Sequence, residues 1–322
     1  MPLLTPASSG LNNHIVHCGY LRSVTGSQIR SWTKEDLLPN ILYVDNGNIA
    51  DSMFGGLLFE ADRSINEEIM SGKAIGFGKP PTMTAWKQAL DVLFQKDRNL
   101  SMALQISALR PKGNALDLWV ALPYPLETKQ DFGVYKGRQL NFQANPSDRE
   151  IALTWWIDRL LEAWNYVSRK ASGHNARLCG FAWTKNSLEP NDESLLAAIS
   201  RYIHDKKLKL IWCQNYGTAK AWEGSQLGFD FVFTRPLFAN KDPRGAEWVK
   251  SAVSFCNKYQ LGVIVWGDPR VSLNQLPELL NIGRELFAHS LQIFEIGEVG
   301  AGHLFKTSDP LYRTLHSYIK GV

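Results

Sequence analysis

Eight short apolar segments that alternate with helical patterns constrain the fold of this chain more than any other feature. Each segment is rich in β-branched, aromatic or leucine residues and has the length of a strand buried on both faces. Alternation of this kind implies right-handed crossovers and a parallel sheet. The segments are His14–Tyr20, Met53–Phe59, Asp117–Tyr124, Leu178–Trp183, Lys209–Tyr216, Phe229–Thr234, Gly262–Trp266 and Leu291–Ile296.

Eight parallel strands favour closure, so the sequence predicts an α/β protein with a single (β/α)8 TIM-type barrel. The alternative is an open doubly wound sheet, which usually carries a glycine-rich turn after its first strand. The turn here reads Gly19-Tyr20-Leu21-Arg22 and lacks that pattern. We therefore expect residues 1–322 to form one barrel domain, with a short N-terminal extension over residues 1–13.

Composition and spacing exclude several classes of protein. The net charge is only +4, from 35 basic and 31 acidic residues that are interspersed, which is not typical of a nucleic-acid binder. No apolar run approaches the ~18 residues of a membrane span, and the N-terminus lacks the pattern of a signal peptide. We therefore expect a cytoplasmic protein with no nucleic-acid or membrane partner.

Cysteine spacing and loop motifs give no sign of a metal or a cofactor. The four cysteines, at positions 18, 179, 213 and 256, are far apart and form no CxxC pair, so we expect buried, reduced thiols. The stretch Gly72–Lys79 lacks the residues of a phosphate-binding loop. Gly297, Gly300 and Gly302 could bind phosphate at the end of the last strand or form a plain loop.

Several stretches, in their order and spacing, resemble a bacterial family described as a domain of unknown function. That family is itself similar to glycoside hydrolases with TIM barrels. The resemblance extends from about His14 to Gly321 and implies a sugar-binding cleft at the C-terminal ends of the strands. The stretches are Asn40–Asp45 with Met53–Phe59, Leu118–Pro125, Cys179–Trp183 with Leu208–Tyr216, Leu227–Phe238, Phe305–Arg313 and Tyr318–Gly321.

The chain departs from this resemblance at the family's usual acidic positions, which are partly replaced. Asn186 stands after the fourth strand where the family pattern has a glutamate. The seventh strand, which usually carries a pair of glutamates, reads Val263-Ile-Val-Trp266-Gly-Asp268 here. The sixth strand ends in Arg235 rather than in amide-rich sequence. These replacements imply that the catalytic carboxylates are lost or relocated.

Hydrolysis of a glycosidic bond normally needs two carboxyl groups at the mouth of the barrel. Asp268, which ends the seventh strand, is the first candidate, with Glu60 and Glu295 as possible partners. For each acid a structural role, such as capping a helix or pairing with a cation, is the alternative. The acids placed by position near strand ends are Asp45, Glu60, Asp62, Glu127, Glu189, Asp268, Glu295 and Glu298.

A set of aromatic and polar residues near the strand ends is expected to bind a ligand, since flat rings stack on the apolar faces of sugars. The aromatic residues could equally fill the barrel core. Arg235 could hold an anionic group or neutralise Asp268. The candidates are Trp183, Asn186, Trp212, Tyr216, Arg235 and Trp266.

Two functions stay open at this point. The first is a divergent glycoside-hydrolase-like barrel that binds or processes a carbohydrate-type ligand at its C-terminal mouth. The second is a catalytically inactive barrel that acts as a cytosolic ligand-sensing or protein-interaction module. A saccharide-like small molecule and a protein are both possible partners.

Overall fold

The structure, a computed structural model, describes residues 4–21, 23–24, 28–29, 31–76, 78–236, 245–267, 276–296 and 300–321. Eight parallel strands close into a barrel in sequential order, so the predicted fold class is confirmed and the open sheet is excluded. The strands are β1 (Ile15–Tyr20), β2 (Gly56–Ala61), β3 (Leu116–Ala121), β4 (Ala176–Trp183), β5 (Lys209–Asn215), β6 (Phe231–Arg235), β7 (Gly262–Gly267) and β8 (Gln292–Ile296).

Helices surround the barrel and cover the apolar outer faces of the strands. A hairpin of Leu42–Asp45 and Asn48–Ser52 precedes β2, residues 23–24 pair antiparallel with residues 28–29, and a short hairpin occurs at residues 133–140. The helices are α1 (Pro6–Ser9), α2 (Lys34–Ile41), α3 (Met83–Leu93), α4 (Asn99–Ser107), α5 (Ser147–Lys170), α6 (Pro190–Asp205), α7 (Gly245–Tyr259), α8 (Leu276–Leu286), α9 (Ala301–Thr307) and α10 (Asp309–Lys320).

The segment between β5 and β6 is irregular where most barrels of this type have a helix. Residues 216–230 contain only the short 3-10 turn Ala221–Glu223. Tyr216 packs against Phe255 of α7, with ring centroids 5.6 Å apart, and fills part of the gap. Trp222 of the turn remains 49% exposed.

The interior of the barrel is packed, and residues 4–11 cover its lower end. Leu4 and Leu11 join the apolar cluster inside the strands. The carbonyl of Leu4 accepts a hydrogen bond from the Leu291 amide at 2.6 Å, and Lys209 donates to the Ser9 carbonyl at 3.2 Å. A ligand therefore has no route into the barrel from this end.

All four cysteines are thiols in the structure. Cys18, Cys213 and Cys256 are buried as expected, but Cys179 is partly exposed, which corrects the prediction for that residue. Burial raises the pKa of the Cys213 and Cys256 thiols to about 12. In the part of the chain that the structure describes, no helix combines the length and hydrophobicity needed to cross a membrane.

Candidate functional site

Inward-facing charges appear at the C-terminal mouth of the barrel, one step above an apolar layer. Side chains alternate along a strand, so every second residue points inward. Four strands place an apolar residue in the interior layer and a charged or titratable residue two positions later. The pairs are Ile15 and His17 on β1, Leu58 and Glu60 on β2, Phe233 and Arg235 on β6, and Ile293 and Glu295 on β8.

Glu60 is completely enclosed by hydrogen-bond donors. The side chain is 1% exposed. Its Oε2 lies 2.7 Å from His17 Nε2 and accepts a hydrogen bond from Lys73 Nζ at 2.8 Å. Its Oε1 accepts a hydrogen bond from the Ser71 hydroxyl at 2.7 Å. Burial by itself would raise the pKa of Glu60, but Lys73 and His17 outweigh it and hold that pKa well below its usual value. Glu60 is therefore a carboxylate at neutral pH.

Glu295 forms a bidentate ion pair with Arg235. The guanidinium donates from Nε to Oε2 at 3.0 Å and from Nη2 to Oε1 at 2.6 Å. Burial alone would raise the pKa of Glu295, but Arg235 and then Lys73 lower it below its usual value. Among the described residues the guanidinium thus pairs with Glu295, while Asp268, the partner considered from the sequence, lies outside them.

Lys73 bridges the two carboxylates from a short 3-10 turn, Gly72–Ala74, that follows β2. Its Nζ lies 2.8 Å from Glu60 Oε2 and 3.3 Å from Glu295 Oε1. These two oxygens are therefore at most about 6 Å apart, closer than the roughly 6.5–9.5 Å between carboxyl groups in inverting glycosidases. Burial would lower the pKa of Lys73, but both carboxylates raise it, so the amine stays charged.

Two amide oxygens orient the remaining face of the Arg235 guanidinium. Nη1 donates to Asn215 Oδ1 at 2.7 Å and to Asn186 Oδ1 at 3.1 Å. Asn215 ends β5, and Asn186 follows β4. The guanidinium is thus fixed by groups from β5, β8 and the loop after β4, and its position is determined by the closed barrel.

A second buried ionic network supports the turn that carries Lys73. Asp192, at the start of α6, accepts hydrogen bonds from Lys185 at 2.7 Å and Arg149 at 2.7 Å. Lys185 also donates to the Tyr124 hydroxyl at 2.9 Å, and the Tyr124 amide donates to the Met70 carbonyl at 2.8 Å. The chain leading to Lys73 is therefore bound to β3 and α6.

Gly72 allows the Lys73 turn to pack directly on this second network. A Cβ at Gly72 would lie 2.6 Å from Lys185 Cβ, which is too close for two carbon atoms. Only glycine therefore fits at this position without displacing the Lys185 backbone. Sequence reasoning attributed Asp192 only to the start of a helix, and the network itself was not predicted.

The structure brings four of the nine predicted site residues into one cluster. Glu60, Glu295, Arg235 and Asn186 are linked as described above. The Tyr216 backbone joins the same region, because its amide donates to the Arg235 carbonyl at 3.0 Å. We name the cluster of His17, Glu60, Ser71, Lys73, Asn186, Asn215, Arg235 and Glu295 the mouth cluster.

Two predicted ligand-binding tryptophans do not line the mouth, which corrects the expectation. Trp183 is 1% exposed and packs outside the barrel against Tyr124, with ring centroids 5.6 Å apart. Trp212 is fully buried, stacks on Phe229, and donates from its indole nitrogen to the Lys185 carbonyl at 2.9 Å. Both belong to the layer between strands and helices.

A bulge in β4 explains why Trp183 faces outward. The pairing of β4 with β3 shifts between Leu178 and Gly180, which inserts an extra residue. Ala182 belongs to the interior cluster and Cys179 packs against it, so the alternation changes phase between them. Gly180 itself makes the bulge possible, since a Cβ there would lie 1.9 Å from the Lys209 carbonyl oxygen.

Asp268 and the Trp266 side chain lie outside the described residues, as does Glu298. The backbone of Trp266 belongs to β7 and is in register with Glu295 of β8. The catalytic prediction for Asp268 and the ligand-binding prediction for Trp266 therefore stay predictions.

The other acids considered from the sequence have different surroundings. Asp45 lies in the hairpin before β2 and ion pairs with Arg313 of α10 at 2.8 Å. Glu127 contacts Arg149 and Asn191, and Glu189 caps α6.

Asn40 caps the N-terminus of α9, because its Oδ1 accepts a hydrogen bond from the Ala301 amide at 2.8 Å. Within the described ranges no group of three acidic, histidine or cysteine side chains could hold a metal ion.

Sequence reasoning missed His17, Ser71, Lys73 and Asn215. A signal existed for His17, because Ile15 and His17 have the spacing of two inward positions on β1. The same spacing links Cys213 and Asn215 on β5. Ser71 and Lys73 lie in a loop, where strand alternation gives no information about direction.

The fold and the mouth cluster define a TIM barrel with buried charges at its C-terminal end. A family profile described as "Domain of unknown function (DUF4855)" matches residues 22–295. The chain belongs to this family. No curated protein matches it.

Solved structures of tryptophan synthase from Pyrococcus furiosus are similar to this chain over almost its whole length. A mutant alpha-subunit is 11% identical, with a TM-score of 0.45, and the match covers 97% of this chain and 99% of that chain. The X-ray structure of the tryptophan synthase complex is also 11% identical, with a TM-score of 0.43 and the same coverage. At this identity the likeness concerns the fold alone.

Proposed function

We propose that the mouth cluster binds a carbohydrate-type ligand. The observation that carries the proposal is the set of inward polar groups on four strands above a sealed apolar layer. Carboxylates, amides and a guanidinium supply both acceptors and donors, which sugar hydroxyl groups need. The glycoside-hydrolase resemblance of the sequence agrees with this ligand class and with binding at the mouth.

Stability alone is a poor explanation for the mouth cluster. Removing two carboxylates and two cations from water is expensive, and well-packed apolar residues are often at least as stable. Clusters of perturbed pKa values occur preferentially at functional sites. Glu60 and Glu295 have lowered pKa values because cations surround them, so we propose a binding role for these charges.

We propose that Glu60 and Glu295 orient donors rather than hydrolyse a glycosidic bond. A glycosidase needs one protonated carboxyl group as its general acid. Both pKa values lie below the usual range, so neither group carries a proton at neutral pH. Asp268 remains the candidate for an acid, and Trp266 remains the candidate for a stacking platform beside Glu295.

The second candidate function is a non-catalytic barrel that senses a ligand or binds a protein. All four carboxylate oxygens of Glu60 and Glu295 already accept hydrogen bonds from neighbouring side chains. This favours the non-catalytic function, because such oxygens are poorly suited to attack a substrate. In either case residues 1–322 are proposed to act as one barrel domain.

Calorimetric titration with neutral and uronate-containing oligosaccharides tests ligand binding. We expect Asn186→Ala to weaken binding at least tenfold, because it frees one side of the Arg235 guanidinium. Trp266→Ala should weaken binding by about 1–3 kcal/mol without unfolding the protein. Trp222→Ala is the matched control, since that exposed side chain lies between β5 and β6, outside the mouth cluster.

Two results would contradict the binding proposal. The first is the absence of binding to every saccharide in the panel. The second is binding that Asn186→Ala and Trp266→Ala leave unchanged, which would place the ligand elsewhere. If Trp266→Ala lowers the melting temperature strongly, this tryptophan belongs to the core.

We also propose a reducing, cytoplasmic environment for the protein. The four free thiols support it, because cysteines of proteins outside the cell are commonly joined in disulfides. Alkylation under non-reducing conditions followed by mass spectrometry should find all four thiols labelled after unfolding. A bridge between Cys179 and Cys213 would overturn this assignment.

A further inference from the structure

Among the described residues, one ring nitrogen of His17 has a hydrogen-bond partner and the other has none. Its Nε2 lies 2.7 Å from Glu60 Oε2. An ionised carboxylate only accepts hydrogen bonds, so the proton of the neutral ring belongs on Nε2 and the lone pair on Nδ1. No hydrogen bond to Nδ1 occurs among the described residues. A buried carboxylate thus fixes the tautomer, as in catalytic dyads.

The open edge of His17 faces the mouth. The side chain is 14% exposed. Ile15, the inward residue directly below it, is fully buried, and Leu58, beside it on β2, is 1% exposed. Leu4 and Leu11 close the opposite end of the barrel. Solvent and ligand can therefore reach the imidazole only from the C-terminal side.

Cations lie next to this imidazole. Lys73 Nζ and His17 Nε2 share one oxygen of Glu60. Arg235 and Lys73 also share Glu295 Oε1. His17 is therefore connected through Glu60 to a network in which two cations balance two carboxylates.

We propose that His17 is the proton acceptor of the mouth. Nδ1 takes a proton from a hydroxyl group of the bound ligand, and the ligand oxygen keeps the electron pair. Glu60, hydrogen-bonded to Nε2, stabilises the imidazolium that forms. The proton returns from Nδ1 to the same ligand oxygen when the step reverses. This inference rests on the proposed binding of a hydroxyl-bearing ligand and assigns a proton transfer to the same site.

Modification with diethyl pyrocarbonate tests whether Nδ1 is open. The nitrogen attacks a carbonyl carbon of the reagent, an N–C bond forms, ethyl carbonate leaves as carbon dioxide and ethanol, and the Nε2 proton is released. Peptide mapping should find label at His17, more slowly than at His204, whose side chain is 42% exposed. His14, which is 3% exposed, should stay unlabelled. An unlabelled His17 after complete reaction of His204 would overturn the proposal.

Long-range proton–nitrogen NMR of the histidine-labelled protein tests the tautomer. The expected result is the Nε2–H form of His17 at a pH at which its ring is neutral, with the signal assigned by its loss in His17→Gln. Glu60→Gln should shift the ring towards a mixture of tautomers, because a neutral amide can donate as well as accept. A dominant Nδ1–H form in the unmodified protein would overturn the proposal without any need for a variant to fold.

The rate at which diethyl pyrocarbonate labels His17, measured with and without a saccharide, distinguishes this inference from the proposed function. If a saccharide binds and slows the labelling of His17, both are supported. If a saccharide binds and His17 reacts at an unchanged rate, the proton-acceptor role fails and ligand binding stands. If no saccharide binds while His17 shows the expected label and tautomer, the carbohydrate proposal fails and the open imidazole stands.

Discussion

Arg235 at the end of β6 donates two hydrogen bonds, of 3.0 and 2.6 Å, to Glu295 of β8 across the intervening strand β7. Neither partner is more than 13% exposed. An ion pair of this kind joins β6 to β8 at the mouth and fixes the orientation of both side chains.

Arg235→Met should destabilise the protein by about 3–5 kcal/mol, because it leaves Glu295 buried with only Lys73 as a partner. Urea denaturation measures the loss. Arg235→Met combined with Glu295→Met should recover most of it, since the second change removes the unpaired charge. Lys220→Met, which breaks an exposed pair with Glu193, is the control and should cost little stability, because solvent screens exposed ion pairs. Equal losses in the single and double variants would contradict this account.

The buried His14 should make the protein less stable in mild acid. Burial lowers its pKa from 6.5 to about 4, and its Nδ1 accepts a hydrogen bond from the Gln292 amide. The folded pKa is below the unfolded one, so the contribution is complete above pH 6.5 and declines as the pH falls towards 4. The decline should be on the order of 3 kcal/mol.

Denaturation curves between pH 4 and 8 measure this dependence. His14→Asn should remove that part of the slope, because the amide oxygen accepts the same hydrogen bond without titrating. A slope that persists in His14→Asn would assign it to other groups.

Trp183→Ala should reduce the free energy of unfolding by roughly 3–5 kcal/mol, as expected for a large buried aromatic side chain. Its effect on ligand affinity should be small in protein that remains folded, because the ring packs on Tyr124 outside the barrel. Trp222→Ala, at an exposed position, should change stability by less than about 0.5 kcal/mol. Weaker ligand binding without destabilisation would mean that Trp183 lines the site after all.

Nitrophenyl glycosides and common oligosaccharides should be hydrolysed very slowly or not at all. Asn186 cannot donate a proton as an acid, and Glu60 and Glu295 are ionised. The usual gain of about 10²–10⁴ from proton transfer would therefore be absent. Turnover at ordinary enzyme rates that is lost in Asp268→Asn would show that the acid function has moved to Asp268.

Local patterns predicted the barrel strands well because burial on both faces demands continuous apolar segments. All eight predicted segments overlap the observed strands. The second was expected at Met53–Phe59, whereas β2 runs from Gly56 to Ala61. The difference matters because it places Glu60 inside the strand, where alternation turns it inward beside His17.

The amino-acid sequence by itself determined the strand–helix alternation, the parallel sheet and the strand-end positions of Glu60, Arg235 and Glu295. These properties depend on hydrophobic periodicity, which is local. The direction of Trp183 depended instead on a bulge whose register is set by contacts with neighbouring strands. The bridge from Lys73 to both carboxylates joins residues 222 positions apart. Only barrel closure brings such groups together, because long-range ion pairs form between partners that no local pattern connects.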